Sequence, residues 1–213
     1  ATSHPSVLAA VALHPNEAPR LATESAAHLD AALAEIAELA MHERVRAVGE
    51  TGLDYFRTDE SGRAAQHHSF KQHIAIAKQV NKPVVIHDRD AHDDVLAIVD
   101  EVGAPHTVVM HCFSGDATFA RECIDRGFML SFAGTVTFKN ADSLREALAV
   151  TPLTNILVET DAPFLTPAPF RGRPNASYLI PHTVRVMAQT LDCSEDELCA
   201  AISANSERVF GPW

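Results

Sequence analysis

Ile156-Leu157-Val158-Glu159-Thr160-Asp161-Ala162-Pro163 is an apolar run that ends abruptly in two carboxylates and a proline. It reads as a buried strand that delivers acid at its tip. Alternation along a strand puts Glu159 and Asp161 on one face, where two like charges repel and lose hydration. Such a pair persists only when a cation, a shared proton or hydrogen-bond donors compensate it, and a metal ion is the simplest of these. Three other stretches repeat the design. Val45 to Gly52 ends around Glu50, Pro83 to Asp88 around His87, and Thr107 to Phe113 around His111. In parallel α/β folds, and above all in (β/α)8 barrels, chemistry sits at the C-terminal ends of strands, so residues distant in sequence meet at one mouth. Glu50, His87, His111 and Asp161 are therefore the expected metal ligands. One histidine at a strand end is more often a satisfied loop residue than a ligand, but four such ends together are hard to obtain by accident. Two imidazoles with two carboxylates suit Mg, Mn or Zn with open coordination positions.

The 213 residues are 46% hydrophobic and 21% charged, enough for one sizeable core, and 1–213 is expected to be a single domain. No apolar run approaches the roughly 20 residues of a membrane span, and the first residues lack the basic and apolar regions of a secretory signal. A cytoplasmic protein without membrane association is expected. Cys112, Cys123, Cys193 and Cys199 form no Cys-x-x-Cys pair, which fits reduced thiols, and Cys112 is expected to face the core beside His111. The net charge of −11 argues against a basic surface that coats a duplex. It leaves room for a few arginines and bound cations to hold one or two phosphates of a nucleic-acid chain end.

Strands and helices alternate along the chain. Strands are expected at Val7 to Leu13, Val45 to Gly52, Pro83 to Asp88, Thr107 to Phe113, Phe128 to Ala133 and Ile156 to Asp161. Helices are expected over Glu24 to Met41, Ala64 to Val80, Ala91 to Val102, from Ser114-Gly115-Asp116 to Arg126, Asn140 to Val150, Ile180 to Leu191 and Ser194 to Arg208. Such alternation implies parallel strands with helices outside. His42, His73, His92 and His106 read as helix or loop surface.

At Gly49-Glu50-Thr51-Gly52-Leu53-Asp54-Tyr55, Pro83 to Arg89, His111-Cys112-Phe113-Ser114-Gly115 and Glu159 to Pro163, the sequence closely resembles the TatD family of metal-dependent deoxyribonucleases. Further matches are His14-Pro15, Arg171-Gly172-Arg173-Pro174-Asn175 and Asn205 to Phe210, so the resemblance covers essentially the whole chain. It implies a (β/α)8 barrel of the amidohydrolase group, with about six of eight strand–helix units visible. By resemblance, Glu50 bridges two divalent cations, His87 and His111 complete one, and Asp161 binds the other and orients the attacking water, with Asp161 and Glu50 as catalytic groups. His14, Arg89, Arg171 and Arg173 are the expected substrate contacts, since a guanidinium suits a phosphate. The implied activity is removal of nucleotides from a 3′ end of DNA; the sequence does not give the oligomeric state, for which a monomer is favoured. A metal-dependent ester or amide hydrolase, such as a D-aminoacyl-tRNA deacylase, is one alternative. A catalytically silent barrel that serves as a binding module is another.

One departure stands out. The family opens with a His-x-His pair that feeds the Asp161-side cation, and nothing here matches it; His67-His68 are adjacent on a helix and face different directions. Six parallel strands cannot close a barrel and would leave two apolar edges. The expectation is that two further units precede Ala1, and that the residues here hold at most one cation well.

Overall fold

A computed structural model describes residues 1–212. The chain divides into two compact units, Ala1–Val109 with the last residues from Val209, and Met110–Arg208. The first contains β1 (Ala9–Val11), α1 (Glu17–Glu24), α2 (Ala26–Ala40), β2 (Val45–Asp54), α3 (Glu60–Val80), β3 (Val84–Arg89) and α4 (His92–Val102), with β4 (Val108–Met110) lying at the division. The second contains α5 (Ala117–Asp125), β5 (Met129–Phe132), α6 (Asp142–Val150), β6 (Ile156–Val158), α7 (Ile180–Leu191) and most of α8 (Glu195–Phe210). Strand order follows the sequence, and the pairs β1/β2, β2/β3 and β5/β6 are all parallel. The α/β class with helical crossovers is as the alternation predicts.

Each unit is held by its own apolar interior. Leu53, Phe70, Ile74, Val84 and Ile86 are fully buried in the first, and Phe128, Met129, Leu130, Phe132, Leu148, Ile156 and Met187 almost fully in the second. Burying a side chain of this size contributes about 1.5–3 kcal/mol. Asp116 caps α5 as its position suggests, its carboxylate accepting from the Thr118 and Phe119 amides at 2.9 Å each.

Several boundaries differ from the sequence reading. The helix expected over Glu24 to Met41 is α2, which starts after an extended Ser25 whose hydroxyl accepts from the His28 amide, and a further helix that the sequence reading missed, α1, precedes it. β2 runs on to Asp54, which places Glu50 inside the strand rather than at its end. At Glu50 the parallel register slips: Gly49 pairs with Val85 and Thr51 already with Ile86, a bulge that turns the intervening side chain. Gly52 sits two residues further on at φ 137°, with a Cβ there forced into the His87 carbonyl, so this approach of β2 to β3 admits only glycine. β4 and β6 stop earlier than expected, at Met110 and Val158, and Cys112 and Asp161 just beyond them adopt φ 44° and 56°, through which no extended ladder could resume.

Candidate metal centre

On the first unit, His14, Glu50 and His87 offer ligand atoms that all lie within 4.8 Å of one another. Glu50 reaches the group through its bulge, His87 from β3, and His14 from the turn after β1. His87 Nδ1 is 3.4 Å from Glu50 Oε2, and His14 Nε2 is 3.8 Å from Glu50 Oε1. Two ligands each about 2.1 Å from a tetrahedral ion stand roughly 3.4 Å apart, so the donor set fits a divalent cation. His87 Nε2 meets Asp54 Oδ2 at 3.2 Å, and this carboxylate holds the ring proton on Nε2 and leaves Nδ1 to face Glu50. Asp54 is 1% exposed and its carboxylate also accepts from the Arg57 amide and the Asn16 side chain. Burial alone raises its pKa, but those donors and His87 hold it below the ordinary carboxylate value.

His14 has a different chemistry from His87. Its Nδ1 accepts from the Asn16 amide at 3.2 Å, which leaves the ring proton on Nε2, the nitrogen that points at Glu50. Burial, reinforced by the neighbouring His87, pushes its pKa down, with Glu50 and Asp54 opposing. A neutral ring with an outward N–H donates to an anionic oxygen more readily than it coordinates.

On the second unit, His111 lies between two carboxylates. Glu159 Oε1 approaches its Nδ1 at 3.0 Å, and Asp161 Oδ1 stands 3.7 Å from its Nε2. Glu159 is anchored in turn, Oε2 accepting from the Cys112 amide at 3.1 Å. Unlike the Asp54 oxygen that bonds His87, Glu159 Oε1 is buried without a hydrogen-bond partner, and the other His111 nitrogen faces Asp161 at close to ligand-to-ligand spacing. Alternation along a strand does not produce it, because β6 ends at Val158. Asn175 donates to the Thr160 carbonyl, and a tight turn from the Phe164 amide to the Asp161 carbonyl sets that segment. Cys112 is half-buried rather than in the core, and no disulfide joins the four cysteines.

Residues 1–211 match the family described as TatD related DNase. The chain belongs to that family. A protein of Mycobacterium tuberculosis named as an uncharacterized metal-dependent hydrolase TatD is 45% identical over 209 residues, spanning 96% of this chain and 76% of that one. A Citrobacter rodentium protein named 3′-5′ ssDNA/RNA exonuclease TatD is 35% identical over 83% of this chain and 69% of its own. The crystal structure of YJJV, a TatD homolog of Escherichia coli K12, superposes with a TM-score of 0.88 at 28% identity, covering all of this chain and 80% of that one. The expected fold class is borne out by this superposition and by the parallel α/β order, with six strands among the described residues, and the protein is a metal-dependent hydrolase by family.

The remaining expected residues of this TatD-family chain are arginines, and each lies over an aromatic ring. The Arg89 guanidinium is 3.8 Å from the Phe56 ring centre, that of Arg171 3.9 Å from Phe138, and that of Arg173 5.9 Å from Phe170. Stacking leaves the planar edge of a guanidinium available to an anion. Beside the first cluster, a cavity of about 690 Å³ is lined by Asn16, Arg57, Thr58 and Ser61 among others, and Asn16 links it to Asp54. The sequence reading missed Asp54 as the partner of His87, although Asp54 stands in the Gly49 to Tyr55 motif. Among the described residues no helix is long and apolar enough to cross a membrane.

Proposed function

We propose that this protein is a phosphodiesterase that removes nucleotides from the 3′ end of single-stranded DNA, using two divalent cations drawn from Mg, Mn or Zn. The observation that carries the reading is the His14, Glu50 and His87 group with Asp54 behind it. The exonuclease name of the Citrobacter relative supports the choice of substrate. Glu50 and His87 supply one oxygen and one nitrogen donor, and His111 with Asp161 supplies a second such pair. A divalent cation held by either pair would supply Lewis-acid charge for a phosphoryl oxygen. His14 donates its Nε2 proton to a phosphate oxygen, and Asp161 accepts the proton of the attacking water. Arg89, Arg171 and Arg173 hold phosphates of the chain.

Asp161→Asn tests the central role, because it keeps side-chain volume and removes both the negative charge and the base. Release of nucleotides from a 3′-labelled single strand, assayed with each metal and with chelator, is expected to fall more than 100-fold while the circular dichroism spectrum is unchanged. Turnover within about tenfold of the parent, little over 1 kcal/mol of barrier, would remove Asp161 from the chemistry. An aminoacyl ester run in parallel under the same conditions is expected to remain intact.

A further inference from the structure

The loop after β6 carries two aromatic side chains that the proposed chemistry does not use. Tyr178 and Phe164 are 76% and 68% exposed, the highest values among the described large hydrophobic residues. Isolated exposed apolar residues are ordinary. These two are not isolated, because one buried side chain ties their backbones together. Asn175, 6% exposed, donates its side-chain amide to the Phe164 carbonyl at 2.8 Å and to the Thr160 carbonyl at 2.7 Å, while its backbone amide donates to Pro163. Its carbonyl oxygen accepts from the Ala176 amide at 2.9 Å, at the head of the short turn Ser177–Leu179 that holds Tyr178. Leu179 anchors that turn in the core, and Pro181 stiffens the first turn of α7 immediately beyond it. Both rings are thus presented from clasped backbone, with Phe164 three residues beyond Asp161. The same loop bears Arg171 and Arg173, exposed cations in a chain of net charge −11.

We propose that Phe164 and Tyr178 form a base-stacking platform that selects unpaired nucleobases, so that this face takes a single-stranded nucleic acid; the inference rests on the nuclease reading above. Aromatic rings beside arginines are the working parts of single-strand recognition, since every base has a π-face and every linkage a phosphate. In a duplex the base faces are covered by their neighbours, and the rings have nothing to stack on. An unpaired 3′ end offers both. A ring carried on fixed backbone loses less conformational freedom on binding than one on a mobile loop, and the Asn175 clasp fixes that backbone.

The test is binding of the 213-residue chain, in Mg2+, to fluorescent oligothymidylate and to a strand of equal length and charge whose sugars carry no bases, both built with phosphorothioate linkages that resist hydrolysis, read by anisotropy. The parent is expected to prefer the strand with bases. Phe164→Ala and Tyr178→Ala are each expected to weaken oligothymidylate binding about 5- to 150-fold, the range for loss of one stacked base, and to bring the two strands toward equal affinity. Phe164→Tyr and Tyr178→Phe are expected to keep the preference, which separates stacking from general loss of fold. Equal affinity of the parent for both strands overturns the platform while leaving a nuclease that grips phosphate alone. Binding of neither strand overturns both readings. A sedimentation coefficient that falls in the alanine variants would mean that the rings cover a second copy of the chain, and that also overturns the platform.

Discussion

Asp54 touches no substrate in the proposed chemistry, yet it decides which nitrogen of His87 is available. Its buried carboxylate receives the His87 ring, the Asn16 side chain and the Arg57 amide. Asn in its place keeps the shape but offers one acceptor oxygen and no charge, so the His87 ring is no longer held in one tautomer. Asp54→Asn is expected to weaken divalent-cation binding about 10- to 100-fold, the usual cost of losing such an orienting partner. Competition against a chromophoric chelator measures this directly. Affinity within twofold of the parent would make Asp54 a structural residue only. His14 and Glu159 teach the same lesson: the residue type suggests a ligand, and the hydrogen-bond partner on the other side decides the role.

At the scale of elements, His73 was expected on the surface of α3 and is instead fully buried. Its Nε2 accepts from the Leu13 amide at 3.0 Å, and its Nδ1 donates to the Ser69 carbonyl at 2.7 Å, so a neutral ring fastens the end of β1 to α3. Protonation would remove the acceptor, and burial holds the pKa down at about 4 against an ordinary 6.5. The folded pKa is the lower one, so between these values the unfolded chain binds more protons. The stabilising contribution is therefore complete above pH 6.5 and is lost as pH falls from 6.5 to about 4. At about 1.4 kcal/mol per unit the whole effect is on the order of 3 kcal/mol. Urea unfolding at a series of pH values should show a decline across that window that is shallower in His73→Gln, which has nothing to titrate. Parallel profiles for the two proteins would remove His73 as the cause.

At the scale of the molecule, net charge and local charge oppose each other. A chain of charge −11 repels a polyanion at long range, and binding must come from the few arginines at short range. Arg171 and Arg173 are held over Phe138 and Phe170, and each is expected to neutralise one phosphate. Replacing either with alanine is expected to reduce the slope of log affinity against log salt by about 0.7, the single-strand value per phosphate contact, while metal content stays constant. An unchanged slope for both would assign these cations to their aromatic partners alone.

The sequence by itself determined the α/β class, the order of strand and helix save for α1, and the identity of the acid and imidazole groups near the strand ends. Those properties are local: apolar runs, turn residues and caps are written in neighbouring positions. It did not determine where β4 and β6 stop, or that Cys112 and Asp161 leave the extended conformation beyond them. Nor did it show the bulge that turns Glu50, the burial of His73, or the pairing of His87 with Asp54. The decisive contacts join residues 33 apart for Asp54 and His87, 47 for Cys112 and Glu159, and 60 for Leu13 and His73. A ring's tautomer and a carboxylate's pKa depend on which groups are excluded from water together, and only the folded chain brings those groups together.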